Sequence, residues 1–152
     1  MATDKPDTIQ TSSHLVRSLE ETSLLVARLM PELIKYSVVS LEGPLGAGKT
    51  HFVKALAWAM GITEEVTSPT FTLMHSYGSR ELSLHHSDWY RLESEEEILA
   101  LGLEEYYGEE LMIIEWGNKF PGLLPRDVIH IRIEPQPDES RVITCSFPIS
   151  QR

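Results

Sequence analysis

Two different spacings of apolar residues along the chain predict an α/β protein. The first helix is predicted in SSHLVRSLEETSLLVARLMPELIKY, where apolar side chains recur at helical spacing after a serine cap. These side chains are Leu15, Leu19, Leu25, Val26 and Leu29. A second helix is predicted in KTHFVKALAWAM, and Gly61 ends it.

Short apolar runs between the helices predict strands. SVVSLE is rich in β-branched residues and leads directly into a glycine-rich loop, and LMIIEW is a second buried run. VTSPTFTLMHSYGSRELSLHHSDWYRL predicts a loop, a strand, a turn at residues 77–79 and a second strand. Ser94 and Glu97 form a capping box, which predicts a helix over EEEILALGLEEYY.

The order of these elements predicts the architecture. VIHIRIEP and RVITCSF, joined by QPDES, are typical of a C-terminal antiparallel hairpin. We predict one domain over residues 13–152, of the α/β class. It is a P-loop NTPase-like three-layer fold whose mixed central sheet is flanked by helices. The polar residues 1–12 are predicted to form a flexible tail.

Composition narrows the classes of function. The chain has 152 residues and a formal net charge of −10, and its Lys and Arg residues are scattered singly. Because affinity for nucleic acid comes largely from cations that neutralise phosphates, direct tRNA binding is disfavoured. No apolar run approaches the roughly 20 residues that span a bilayer, so no membrane association is expected. The single cysteine, Cys145, is interpreted as a buried structural thiol in a cytoplasmic protein.

The sequence GPLGAGKT over Gly43–Thr50 matches a phosphate-binding loop between a predicted strand and a predicted helix. Backbone N–H groups along this loop can point inward and bind phosphate oxygens at the start of the helix. They belong to Leu45, Gly46, Ala47, Gly48, Lys49 and Thr50. Lys49 would contact the β and γ phosphates, and the Thr50 hydroxyl would be a ligand of Mg²⁺.

Two carboxylates are candidates to complete the magnesium site. Glu115 ends the apolar run LMII, at the carboxyl edge of a strand where α/β sheets bind ligands. Asp88 follows the run SLHH, and strand alternation sets it on the same face as His86 and opposite His85. The two histidines therefore cannot serve one zinc ion. The segment TSPTF, residues 67–71, is either a plain loop or a sensor of the γ-phosphate.

Taken together, these motifs resemble the TsaE (YjeE) family of small bacterial ATPases. The similar stretches are EETSLL, LEGPLGAGKTHFVKAL, VTSPTFTL, HHSDWYRLES, EEILALGLEEY and IIEWGNKF, in the family's order. They cover roughly residues 18–120, and the C-terminal hairpin matches as well. The phosphate loop alone would indicate only an NTPase. The combination with SPTFTL, H-x-D-x-Y-R and I-E-W is far more discriminating.

The resemblance implies that the chain hydrolyses ATP with Mg²⁺ and acts on a complex of TsaD and TsaB. That complex modifies adenosine 37 of tRNAs to N6-threonylcarbamoyladenosine, so contact with tRNA would be indirect. It also implies Thr50 and Glu115 around Mg²⁺, and Asp88 as a second metal-shell or water-orienting acid. Thr22 would be a nucleotide contact. Lys49, Asp88 and Glu115 are the predicted catalytic residues. Because the pattern supplies no arginine finger, turnover is expected to be slow without the partner.

Three other functional hypotheses compete with that of an ATPase. A GTPase is disfavoured because the chain lacks D-x-x-G, and Asn118-Lys119-Phe120 precedes proline where N-K-x-D requires aspartate. A small-molecule kinase would use the same phosphate loop but needs an acceptor site and an arginine-bearing lid. A non-catalytic switch, in which ATP binding alone controls docking, uses the same residues and stays open.

Overall fold

The computed structural model describes residues 8–78, 82–108 and 110–149 of the chain. Its strands and helices run in the order β1 (Thr8–Val16), α1 (Leu19–Tyr36), β2 (Val38–Glu42), α2 (Lys49–Ala59), β3 (Met74–Gly78), β4 (Ser83–Asp88), α3 (Glu95–Leu99), β5 (Leu111–Glu115), β6 (Ile129–Pro135) and β7 (Arg141–Ile149). Three short 3-10 turns lie at Leu103–Tyr106, Gly117–Lys119 and Pro121–Leu123.

The seven strands form one mixed sheet in the order β1-β7-β6-β2-β5-β4-β3. β6, β2, β5 and β4 are parallel neighbours at its centre. β3 pairs antiparallel with β4 at one side, and β7 and β1 continue antiparallel at the other. The α/β class, the mixed sheet and the C-terminal hairpin are therefore confirmed. The parallel centre matters for function because it sets the carboxyl ends of β2, β4 and β5 at one edge.

Both faces of β2 and β5 are buried, which explains their largely apolar sequences. On β2, Val39 and Leu41 pack with α1 and α2, whereas Val38 faces the opposite side of the sheet. That opposite core includes Ile98 of α3 and the fully buried Trp89. The outward side chains of β6 are exposed, so the layer on that side does not cover the whole sheet.

β1 is the main departure from the sequence-based expectation. Residues 8–12, predicted as part of a flexible tail, pair antiparallel with β7. Ser13–Val16, predicted within the first helix, belong to the same strand. α1 is capped instead by Ser18, whose hydroxyl accepts from the backbone N–H of Glu21 at 3.1 Å. Both predictions were wrong because β1 is held by backbone hydrogen bonds to β7. Its residues are largely exposed and polar, so the strand has no apolar pattern that would reveal it in the sequence. Residues 1–7 lie outside the described residues.

The N-cap at Ser94 is confirmed, but Glu97 Oε1 accepts from the backbone N–H of Glu93 rather than of Ser94, and the helix is short. The Ser94 hydroxyl accepts from the backbone N–H of Glu97 at 3.3 Å. The α-helix ends at Leu99, and Gly102 turns the chain with φ of 70°. A 3-10 turn then replaces the predicted continuation. A left-handed residue cannot continue an α-helix, which accounts for the difference.

Cys145 lies in β7 with no exposed surface, as the sequence analysis predicted. Burial raises the pKa of its thiol to about 11. Since the thiolate is the reactive species, we expect iodoacetamide at pH 8 to alkylate the native protein at least about a hundredfold more slowly than the unfolded protein. Mass spectrometry of timed samples with and without denaturant measures this ratio. Equal rates in the two samples would contradict the burial.

Candidate active site

The phosphate-binding loop lies between β2 and α2, pressed against the C-terminal hairpin. A Cβ atom on Gly43 would lie only 2.7 Å from the carbonyl oxygen of Ile133, so only glycine allows this close approach. Arg141 of β7 also supports the loop, since its Nε donates to the Ala47 carbonyl at 2.6 Å. The hairpin therefore fixes the loop at the carboxyl edge of the parallel strands.

A cavity of about 350 Å³ opens over this loop. Most of the residues that the sequence analysis singled out line it, namely Leu45, Gly46, Gly48, Lys49, Thr50, Asp88 and Glu115. Ser68, Thr70, Tyr90 and Trp116 line it as well. Ala47 is buried behind the loop. Residues from four separate regions of the chain thus meet around one space at the N-terminal end of α2, the setting in which α/β proteins bind phosphate groups.

Lys49 is buried, and its ammonium group is held by three neighbours. Nζ donates to the Gly43 carbonyl at 2.7 Å, lies 3.6 Å from Glu115 Oε1, and stands 4.5 Å above the ring of Trp116. All three are acceptors or electron-rich surfaces, which a phosphate group can replace. The geometry supplies a desolvated cation at the start of α2.

Glu115 ends β5 and has only 4% of its surface exposed. Its two oxygens face different groups, because Oε1 points toward Lys49 whereas Oε2 lies 2.5 Å from Nε2 of His86. In the parallel register of β4 and β5, Asp88 is paired directly with Glu115. The sheet therefore sets two carboxylates side by side at the edge of the cavity.

Asp88 is tied to the segment TSPTF. Thr70 Oγ1 donates to Asp88 Oδ2 at 3.1 Å, and the backbone N–H of Tyr90 donates to Oδ1 at 2.8 Å. The hydroxyl of Ser68 is 2.8 Å from that of Thr70. Two hydroxyls of the segment thus line the cavity and are linked to its second acid. This arrangement favours the sensor interpretation of TSPTF over that of a plain loop.

The donor atoms around the cavity suit a hard divalent cation. Thr50, Asp88 and Glu115 present hydroxyl and carboxylate oxygens, the ligand types that Mg²⁺ prefers. No cluster of three or more His, Cys, Asp or Glu side chains in the described part of the chain could hold a metal alone. Mg²⁺ usually takes one or two carboxylates and completes its shell with phosphate oxygens and water.

Thr22 is the predicted site residue that the structure does not bring to this cavity. It is buried in α1, and its hydroxyl donates to the Ser18 carbonyl at 3.3 Å. Sequence reasoning gave no role to two residues that contact the site, Arg141 and His86. Strand alternation had set His86 on the face of Asp88, which was a usable signal. No sequence signal pointed to Arg141, because it contacts the loop from a strand that is distant in the sequence.

Trp116 contacts side chains from two different parts of the site, Tyr90 and Lys49. It follows Glu115 with φ of 62°, an uncommon value for a bulky residue. Its ring lies 5.0 Å from that of Tyr90 and beneath the Lys49 ammonium. Such backbone strain persists only where the surroundings impose it, and it is concentrated at functional sites.

Comparison with known proteins places the chain in a family. The family model described as threonylcarbamoyl adenosine biosynthesis protein TsaE matches residues 16–143. The chain belongs to the TsaE family. The family match covers every residue that lines the cavity. It runs from the last residue of β1 to the third residue of β7 and leaves residues 1–15 and 144–152 outside.

Individual TsaE proteins are similar over most of their length. The tRNA threonylcarbamoyladenosine biosynthesis protein TsaE of Treponema pallidum is 45% identical over 134 residues, which is 86% of this chain and 96% of that protein. The Bacillus subtilis protein of the same description is 42% identical over 82% of this chain and 78% of its own length. The crystal structure of Bacillus subtilis YdiB superposes with a TM-score of 0.78 at 31% identity, covering 93% of this chain and 88% of that one.

Among the residues that the structure describes, no helix combines the length and the hydropathy needed to cross a membrane.

Proposed function

We propose that this TsaE-family protein binds ATP with Mg²⁺, hydrolyses it, and thereby supports threonylcarbamoyladenosine modification of tRNA through a TsaD–TsaB complex. The observation that carries the proposal is the cavity in which Lys49, Thr50 and Glu115 meet over the phosphate-binding loop. The relatives named above work in biosynthesis of the same modified nucleoside. A chain of net charge −10 is suited to act on a protein complex rather than on tRNA directly.

Each group at the site has a role in phosphoryl transfer to water. Lys49 and the loop N–H groups neutralise the β and γ phosphates. Thr50, Glu115 and Asp88 would hold Mg²⁺, which supplies charge stabilisation on the transferred phosphoryl group. Asp88 also lies where it can orient the attacking water, since its carboxylate lines the same cavity. Its hydrogen bonds from Thr70 and Tyr90 fix that orientation.

Turnover without a partner should be slow. Lys49 is the only cationic side chain that lines the cavity within the described part of the chain. The nearby Arg141 does not line the cavity, and its Nε donates to the Ala47 carbonyl of the loop. An arginine finger raises kcat by roughly 10³–10⁵-fold in enzymes that have one. A partner that supplies such a group could therefore accelerate ATP hydrolysis by this protein.

The test is reconstitution with purified TsaD and TsaB homologues. ATP hydrolysis should rise by at least about tenfold when the complex is added, a modest part of what one arginine can supply. With threonylcarbamoyl-adenylate and tRNA present, modification should continue through many turnovers only when this protein and ATP are both supplied. Rapid hydrolysis by the isolated protein, unchanged by TsaD–TsaB, would contradict the proposal.

A docking switch without hydrolysis is the second candidate. The observation in its favour is the Thr70–Asp88 hydrogen bond, which couples the segment TSPTF to the nucleotide cavity. A ligand that displaces this bond could reorder the segment without any chemical step. The two candidates share every binding residue and differ only in whether the γ-phosphate must be cleaved.

A further inference from the structure

A buried histidine next to Glu115 contacts the site but has no role in the proposed function. His86 lies in β4 with none of its surface exposed, and Nε2 is 2.5 Å from Glu115 Oε2. Its other ring nitrogen, Nδ1, is buried and has no hydrogen-bond partner in the part of the chain that the structure describes. The ring therefore makes one polar contact, and that contact is to a candidate metal ligand.

The chemistry of the pair assigns the proton. An ionised carboxylate can only accept, so Nε2 of His86 must donate to Oε2 of Glu115. A proton on Nδ1 would be a buried donor without an acceptor, which is costly, whereas a bare Nδ1 costs less. The contacts therefore favour the tautomer that carries its proton on Nε2.

This hydrogen bond constrains the direction of the carboxylate. The terminal torsion of a glutamate is broad and roughly two-fold, so packing around the side chain alone fixes it poorly. With Oε2 held by His86 on the buried side, Oε1 is left toward Lys49 and the cavity. Partners of this kind, which orient a metal-binding group without touching the metal, strongly affect metal affinity and activity.

We propose that His86 is a positioning residue for Glu115, holding Oε1 toward the Mg²⁺–ATP site through the Nε2–H···Oε2 hydrogen bond. The proposal rests on the proposed function for its effect on activity. The hydrogen bond itself is a property of the protein without nucleotide, so it can be tested separately.

Three variants test the effect on the site. His86→Gln retains an N–H donor near the position of Nε2, whereas His86→Leu has similar bulk and no donor. His85→Leu is the matched control, because this neighbouring histidine points to the other face, toward Ser76 and Glu110. Thermal unfolding checks that each variant is folded.

We expect His86→Leu to lower kcat by roughly 10–100-fold and to raise the Mg²⁺ concentration needed for half-maximal activity. The Kd of ATP measured in EDTA should stay within about threefold, because the hydrogen bond acts on the metal ligand rather than on the loop. His86→Gln should recover most of the loss, and His85→Leu should resemble the wild type. Equal kcat in His86→Leu and His85→Leu would overturn the proposal.

A spectroscopic measurement on the protein without metal completes the test. With ¹⁵N-labelled histidine, the two ring nitrogens of His86 should show the Nε2–H form, and the assignment follows from the signals lost in His86→Gln. The Nδ1–H form would overturn the proposal even if every variant behaved as expected. Should the wild type hydrolyse no ATP with or without TsaD–TsaB, the proposed function fails, while this spectrum still decides whether the hydrogen bond exists.

Discussion

Replacing Lys49 with methionine should reduce kcat for ATP hydrolysis by roughly 10²–10³-fold, the usual cost of removing one charge-stabilising donor. The ammonium is buried at the start of α2 and contacts the Gly43 carbonyl and Glu115. Methionine retains the length of the side chain but cannot neutralise phosphate. The affinity for ATP should fall by about 1.5–3 kcal/mol, the value of a hydrogen bond to a charged group. Calorimetric titration and a phosphate-release assay measure the two effects.

The control for this variant is Lys54→Met, on the same helix. Lys54 is exposed and does not line the nucleotide cavity, so ATP binding and kcat should stay close to those of the wild type. If the effect came only from removing a positive charge from α2, ATP binding and kcat would fall equally in Lys49→Met and Lys54→Met. ATP binding of wild-type strength in Lys49→Met would show that the cavity over the loop is not the nucleotide site.

Much of the fold was predictable because its central elements have strong local patterns. β2 and β5 are buried on both faces, and their sequences VVSLE and LMIIE are apolar runs with one terminal acid each, interrupted only by Ser40. β1 could not be predicted in the same way. Its outward residues are polar or exposed, and its stability comes from backbone pairing with β7 at the other end of the chain. Non-local pairing of this kind leaves little signal in the strand itself.

The residues of the candidate site also differ in how far the sequence alone could predict them. Lys49 and Thr50 were predictable from the loop motif, since phosphate binding imposes both residue types and their spacing. Glu115 and Asp88 followed from the rule that ligands lie at the carboxyl ends of parallel strands, and the register of β4 and β5 sets them as neighbours. Arg141 contacts the loop from 94 residues away, so only the folded chain reveals it.

Replacing Glu115 with glutamine should lower kcat for ATP hydrolysis by roughly 10²–10³-fold while leaving ATP bound. Glutamine has nearly the same shape and can still accept the hydrogen bond from His86, but it carries no charge for Mg²⁺. Affinity should fall less than in Lys49→Met, because the loop N–H groups and Lys49 still contact the phosphates. Binding is measured by calorimetry with Mg²⁺ and ATP, and hydrolysis by phosphate release with TsaD–TsaB present.

This variant also separates the two candidate functions, because it removes hydrolysis and keeps the bound nucleotide. If hydrolysis resets the partner complex, Glu115→Gln should support about one round of tRNA modification and then stop. If ATP binding alone controls docking through the segment TSPTF, modification should continue at the wild-type rate. Added wild-type protein should restore repeated rounds in the first case, which distinguishes a stalled complex from an inactive one. Since Asp88 keeps its hydrogen bonds from Thr70 and Tyr90 in this variant, the switch segment is preserved and the outcome reports on hydrolysis alone.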